Sequence, residues 1–224
     1  MKHLVLLHGA MGSRSDFNSL LPLLTAHYEC HTLNFSGHEG EPFVPNAGIA
    51  HYARELDAWL ENLGLQEVDI FGYSMGGYVA LYSSAKGNHR IRSVVCVGTK
   101  FLWNEEEASK QQPGLSPAFL KEKAPGYVEQ LIKAHGENNW ERLLSQTANM
   151  MTELGAGAGL TDAMLHAIDI PVMLAVGDKD RMVTKEETFD TAGKIKGAVA
   201  RVLEKTPHQL ERIDPNLLLS LLLT

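Results

Sequence analysis

Cysteine is scarce, with only Cys30 and Cys96 in 224 residues, which excludes a disulfide framework. Both lie in strand-like apolar runs, where a small buried thiol is the ordinary reading. Positive charge is also in short supply. Lys and Arg number 20 against 27 Asp plus Glu, for a net charge of -7, so no broad positive field exists to hold a polyanion, and nucleic acid is not an expected partner. Long apolar runs are missing too: Leu4 to Leu7 is the only continuous one near the N-terminus, and Leu217 to Leu223 is broken by Ser220. Each falls far short of the roughly 20 residues that span a bilayer, and no secretory pattern is present. The expectation is a soluble cytoplasmic protein with no membrane span. The apolar C-terminal stretch leaves open burial within the chain or a homodimer.

What is present suits one domain with a sizeable core, since 44% of the residues are hydrophobic and α/β chains of roughly 200 to 250 residues commonly form one domain. Apolar, β-branched runs recur at Leu4 to Leu7, Tyr28 to Phe35, Val68 to Phe71, Ile91 to Val97, Val172 to Val176 and Val199 to Leu203, and read as strands. Between them, Ile49, Tyr52, Ala53, Leu56, Trp59, Leu60 and Leu63 share a helical face that Gly64 stops, and Thr184 with Glu187 has capping-box spacing. Strands alternating with helices predict an α/β fold: a mostly parallel sheet of about six strands, helices on both faces, and ligand sites at the carboxyl ends of the strands.

The connection from Gly98 to Pro171 is too long for a simple crossover. It predicts a helical lid over residues 102–165, inserted into a core of residues 1–101 and 166–224. Ser116 before Pro117 fits a helix start, and Trp140, Leu143, Leu144, Thr147, Met151 and Leu154 track one face. The glycines of Gly155 to Gly159 read as a flexible joint.

Chemistry concentrates at Gly72-Tyr73-Ser74-Met75-Gly76-Gly77, directly after a strand and before a helical run. A serine on a tight strand-to-helix turn needs neighbours without side chains, and the helix start stabilises negative charge beside it. Ser74 is therefore the expected nucleophile. His8-Gly9-Ala10 follows the first strand, so the N–H groups of Ala10 and Met75 are the expected oxyanion donors, with His8 structural. His208, just past the last strand, is the favoured base, and His38 is its rival. The remaining histidines are expected to be mostly solvated surface groups. The acid comes from Asp178-Lys179-Asp180, with Asp180 ranked above Asp178. The Asp pair lacks ligand neighbours for a metal, and neither metal nor cofactor is expected.

His8-Gly9-Ala10-Met11-Gly12, Gly37-His38, Gly72 to Gly77, Gly177 to Asp180 and His208 stand in an order that resembles the α/β-hydrolase superfamily. Within it, the chain looks like the small lid-bearing members, such as the menaquinone-pathway lyase and carboxylesterase-like proteins. The resemblance covers nearly the whole chain and implies Asp180 as acid and Ala10 as oxyanion donor. The chain opens on what looks like the family's third strand, so the usual first two are absent and six parallel strands are expected. Where the lyase commonly carries an Arg after its Ser-x-Gly-Gly, this chain has Tyr78, and Arg142 is the only Arg of the lid, which argues against a polyanionic substrate.

The expected activity is hydrolysis of a small, largely uncharged ester or thioester through an acyl-enzyme. Met11, Tyr73, Trp103, Tyr127, Trp140, Met150, Met151 and Met182 are candidates to line the substrate pocket, with lid core as the alternative for the last six. A lyase or carbon-carbon bond hydrolase on the same triad, and a non-catalytic small-molecule sensor, are the other readings.

Overall fold

The computed structural model describes residues 1–223. Six parallel strands, β1 (Lys2–Leu7), β2 (Tyr28–Leu33), β3 (Val68–Tyr73), β4 (Ile91–Val97), β5 (Val172–Gly177) and β6 (Val199–Leu203), form one sheet in the order β2-β1-β3-β4-β5-β6. Each of the six apolar, β-branched runs read as strands is a strand, and each pairs in parallel because its neighbour is reached through a crossover.

Side chains alternate across the sheet. Val5, Leu7, Val68 and Ile70 join one buried cluster with the helices Ile49–Asn62 and Met75–Ala85. Leu4, Leu6 and Phe71 join a second cluster on the opposite face, with Leu24, Leu218 and Leu221. The helix Pro215–Leu222 therefore buries Leu218 and Leu221 inside the chain, and Tyr28 Oη donates to the Leu222 carbonyl at 2.6 Å. Ile49–Asn62 covers the sheet with Ile49, Tyr52, Ala53, Leu56 and Leu60, whereas Leu63, expected on that face, is exposed.

Between β4 and β5 the chain forms five short to medium α-helices, of which Pro125–His135 and Trp140–Gly155 are the longest. Leu115, Leu120, Val128, Leu131, Trp140, Leu144 and Met151 make a third apolar cluster of their own. Trp140–Gly155 ends in a packed turn instead of the expected loose joint. Gly157, at φ +91°, lets the Ala158 and Gly157 N–H groups reach back to Glu153 O and Leu154 O. A side chain at Gly155 would strike Ala108, and one at Gly159 would strike the Tyr78 hydroxyl.

The chain runs from β1 to β2 on one side and returns to β3 on the other. The carboxyl ends of β1 and β3 therefore flank the point where strand order reverses, which is where a ligand crevice forms in such sheets.

Candidate active site

Ser74 follows β3 directly and caps the helix Met75–Ala85 with φ +50° and ψ -115°, a conformation that a non-glycine residue holds only where its surroundings dictate it. Those surroundings are visible. The Ser74 N–H donates to Val97 O at 2.9 Å, and Thr99 Oγ1 donates to Ser74 O at 2.9 Å. The turn is tight enough that a Cβ at Gly76 would stand 2.2 Å from Leu7 O and one at Gly72 2.4 Å from Gly77 Cα. Glycine is needed there for close approach, as the sequence pattern implies.

The loop after β1 meets this turn: a Cβ at Gly9 would lie 3.3 Å from Ser74 Cβ. Ala10 and Met75, with Ser74, line one cavity. Neither the Ala10 nor the Met75 N–H has a hydrogen-bond partner among the described residues; Met75 opens a helix, where the first amides are free to bind a ligand oxygen. His8 is fully buried and holds this loop, with Nδ1 on Gly9 O at 2.8 Å and Nε2 accepting from Phe35 N–H at 3.3 Å. Burial pushes its pKa down to about 4, so it is a neutral structural imidazole.

His208 and Asp180 come together beside the same turn. His208 Nδ1 lies 2.7 Å from Asp180 Oδ2, and the carboxylate is 1% exposed. The other oxygen, Oδ1, accepts the N–H groups of Met182 and Val183 at 2.8 and 2.9 Å, which fixes the carboxylate before the histidine arrives. With Nδ1 donating to Asp180, Nε2 is left as the basic nitrogen. Tyr73 Oη donates to His208 O at 2.9 Å, and Gly98, next to the Val97 that binds Ser74, has room for the imidazole at 3.4 Å from a would-be Cβ. No hydrogen bond joins the Ser74 hydroxyl to His208 in this conformation; such contacts often tighten only around substrate. Asp178 takes a different place: its Oδ1 accepts the Thr206 N–H at 3.1 Å and so braces the loop that carries His208.

The Ser74 cavity is lined by Ile49, Tyr78, Lys100, Trp103, Met150, Met151, Leu154 and Met182 as well as Ala10 and Met75. At about 40 Å³ it has room for only a few water molecules. Of the expected pocket residues, Trp103, Met150, Met151 and Met182 lie on it and four do not. Met11 packs against the third apolar cluster, and Tyr73 is held against His208. Tyr127 is 38% exposed, and Trp140 is buried in the third cluster with the Lys121 ammonium over its ring. For Trp140 the apolar periodicity marks a buried face without saying what covers it.

Ile49 and Leu154, read only as helix-face residues, and Tyr78 and Lys100 were not expected on the cavity wall. Tyr78 Oη accepts the Leu160 N–H at 2.8 Å and ties the helix behind Ser74 to the end of the helical insertion between β4 and β5; burial pushes its pKa up to about 12. Lys100 is buried, but its ammonium lies 2.9 Å from Glu107 and 3.7 Å from Glu187, so it brings no free positive charge. Glu187 also completes the capping box of the helix Lys185–Lys194 with Thr184 and accepts the Phe101 N–H at 2.9 Å. Arg142 stands over the Phe43 ring, away from this cavity.

His38 and His135, taken as a rival base and a surface group, are both buried and far from bonding to Asp180. His135 reaches from the helical insertion to Met11 O at 2.9 Å while accepting the Glu39 N–H at 3.0 Å. A signal existed in the Gly37-His38-Glu39 turn, but nothing local pairs it with a residue 97 positions away from His38.

Comparison with known proteins agrees with this fold. A pimeloyl-[acyl-carrier protein] methyl ester esterase of Neisseria meningitidis serogroup B is 27% identical over 93% of this chain and 86% of its own. A 2-succinyl-6-hydroxy-2,4-cyclohexadiene-1-carboxylate synthase of Yersinia pseudotuberculosis is 35% identical over 79% of this chain and 72% of its own. Among solved structures, NosK from Streptomyces actuosus superposes with a TM-score of 0.85 at 18% identity, covering 99% of this chain and 95% of that one. The enol-lactonase from Burkholderia xenovorans LB400 gives 0.77 at 15%, covering 100% and 92%; at such identities the likeness is one of fold. The family described as alpha/beta hydrolase fold matches residues 2–145, and the chain belongs to that family of enzymes.

Proposed function

We propose that the chain is a serine hydrolase acting on a small, largely uncharged carboxylic ester or thioester, with Ser74 as nucleophile, His208 as base and Asp180 as the orienting acid. The observation that carries this reading is the 2.7 Å Asp180–His208 pair beside a serine held at φ +50°. His208 Nε2 takes the proton as Ser74 Oγ attacks the carbonyl carbon, and the oxyanion faces the Ala10 and Met75 amides. Collapse of the tetrahedral intermediate expels the alcohol or thiol, which receives the proton from His208. Water, deprotonated by the same nitrogen, then releases the acid from Ser74. Asp180 accepts from Nδ1 and holds the imidazolium.

The cavity chemistry supports a neutral acyl group. Ile49, Trp103, Met150, Met151, Leu154 and Met182 present carbon and sulfur, and Lys100 is already matched by two carboxylates. Few waters fit as the cavity stands, so we take residues 102–165 to be a lid that moves to admit substrate. The likeness to the Yersinia synthase favours a second reading, a lyase on the same triad, but the absence of an uncompensated cation on the cavity wall speaks for the ester. A panel of short-chain p-nitrophenyl esters and thioesters, run beside β-diketones, decides between them. Ester turnover that disappears in His208→Ala supports the proposal, and diketone cleavage without ester turnover refutes it.

A further inference from the structure

β1 and β2 pair in register, with His3 opposite Glu29 and Val5 opposite His31. Residues two apart on a strand share a face, so Glu29 and His31 project to the same side, as does His3 from the neighbouring strand. His3 and Glu29 stand near the amino ends of their strands and His31 in the middle of β2, whereas Ser74, Asp180 and His208 follow the carboxyl ends of β3, β5 and β6. His3 Nδ1 lies 3.1 Å from His31 Nε2. The two Glu29 oxygens lie 3.6 Å from His3 Nδ1 and 3.9 Å from His31 Nε2. These donor atoms all fall within 4.8 Å of one another. The side chains are 31%, 57% and 19% exposed for His3, Glu29 and His31, so an ion from solution reaches them without unfolding. Trp59 stands edge-on to the His31 ring at 6.4 Å.

A zinc ion holds imidazole nitrogen and carboxylate oxygen at about 2.0–2.2 Å, so a tetrahedral array places neighbouring ligand atoms roughly 3.3–3.5 Å apart. The 3.1 Å between the two nitrogens and the 3.6 Å from His3 Nδ1 to one Glu29 oxygen lie on either side of that value, and one ligand atom from each residue falls within 4.8 Å of the others, so a rotation of the exposed Glu29 side chain closes the set. Hydrogen bonding explains the trio less completely: two neutral imidazoles share one N–H···N bond, and the Glu29 carboxylate is beyond bonding distance of both rings. The geometry points to a divalent transition-metal site at His3, Glu29 and His31, with two nitrogens and one oxygen from the protein and water in the fourth position. Two imidazoles select zinc-like ions over magnesium or calcium, which prefer oxygen. The site is separate from the Ser74 cavity and ties the edge strand β2 to β1, so its effect is on stability. An ion that binds the folded chain and not the unfolded one stabilises by mass action.

The test uses the full chain, stripped with a chelator and dialysed free of it. Titration with zinc chloride in a calorimeter is expected to give one equivalent bound. The thermal midpoint should rise by roughly 5–10 °C at free zinc 100-fold above Kd, while magnesium chloride at the same concentration leaves it unmoved. His3→Ala and His31→Gln should each lose at least tenfold in affinity. Glu29→Gln, a change at an exposed position that leaves folding intact, should weaken binding while ester turnover without zinc stays at the wild-type rate. No stoichiometric uptake by the wild type would overturn the proposal, leaving a hydrogen-bonded histidine pair only. Unchanged affinity in Glu29→Gln and His31→Gln would also overturn it, by placing the ion on other histidines.

Discussion

Ser74, His208 and Asp180 each depend on a different local constraint, and each constraint can be removed singly. Ser74→Ala deletes the hydroxyl without disturbing the backbone bonds to Val97 and from Thr99. Ester turnover should fall to background while the circular dichroism spectrum and thermal midpoint stay at wild-type values. Asp180→Asn keeps the shape but presents an amide to His208 Nδ1, which favours the wrong tautomer; a loss of roughly 10⁴ in kcat is expected, read from initial rates at saturating ester. Gly76→Ala acts by crowding alone, because its Cβ would stand 2.2 Å from Leu7 O. Forcing β1 away from the turn should cost about 1–3 kcal/mol in a urea unfolding curve, with kcat lowered because the Ala10 loop is displaced. The constraints on Ser74 and Gly76 were legible in the glycine spacing. The environment of Lys100 was not, since its partners Glu107 and Glu187 lie on separate helices and nothing in their spacing marks them as converging.

Elements whose environment is repetitive were readable as elements. β-branched runs of strand length gave β1 to β6, and the 3.6-residue period gave the helices Ile49–Asn62 and Trp140–Gly155. Partnership was harder to read. The apolar face of Trp140–Gly155 is wide enough to serve two neighbours: Trp140 and Leu144 go to lid core, Met150 and Leu154 to the sheet core and the cavity wall, and Met151 to both lid core and cavity. One sequence pattern thus covers two roles, and only tertiary packing separates them. The division has a consequence for the lid. Trp140→Ala empties the centre of the lid cluster and removes no atom from the Ser74 cavity. Amide exchange in residues 102–165 should accelerate by at least tenfold while β1, β3 and β4 keep their protection, as expected if the lid opens as a unit of its own. Equal acceleration throughout would show that lid and sheet unfold together.

At the scale of the whole molecule, the buried histidines couple stability to pH. Burial pushes the His8 pKa down to about 4 and lowers that of His135, while burial and the neighbouring His8 imidazole hold His38 well below the ordinary value. In the unfolded chain all three take up protons near pH 6.5, so between that pH and about 4 the unfolded state binds more protons than the folded one. Stability therefore falls as pH drops through this window, by roughly 3 kcal/mol from His8 alone, and urea midpoints at pH 7, 6, 5 and 4 should decline in order. His8→Asn should flatten that decline. No helix among the described residues is long and apolar enough to cross a membrane, and Leu218 and Leu221 near the C-terminus belong to the second core cluster. The chemistry assigned to the molecule rests on Ser74 acting as an activated nucleophile. The most direct measurement is intact-mass analysis after reaction with a fluorophosphonate, followed by peptide mapping. A single adduct on Ser74 in the wild type, absent from Ser74→Ala and strongly slowed in His208→Ala, is the expected result; no adduct, or one that persists in Ser74→Ala, would contradict it.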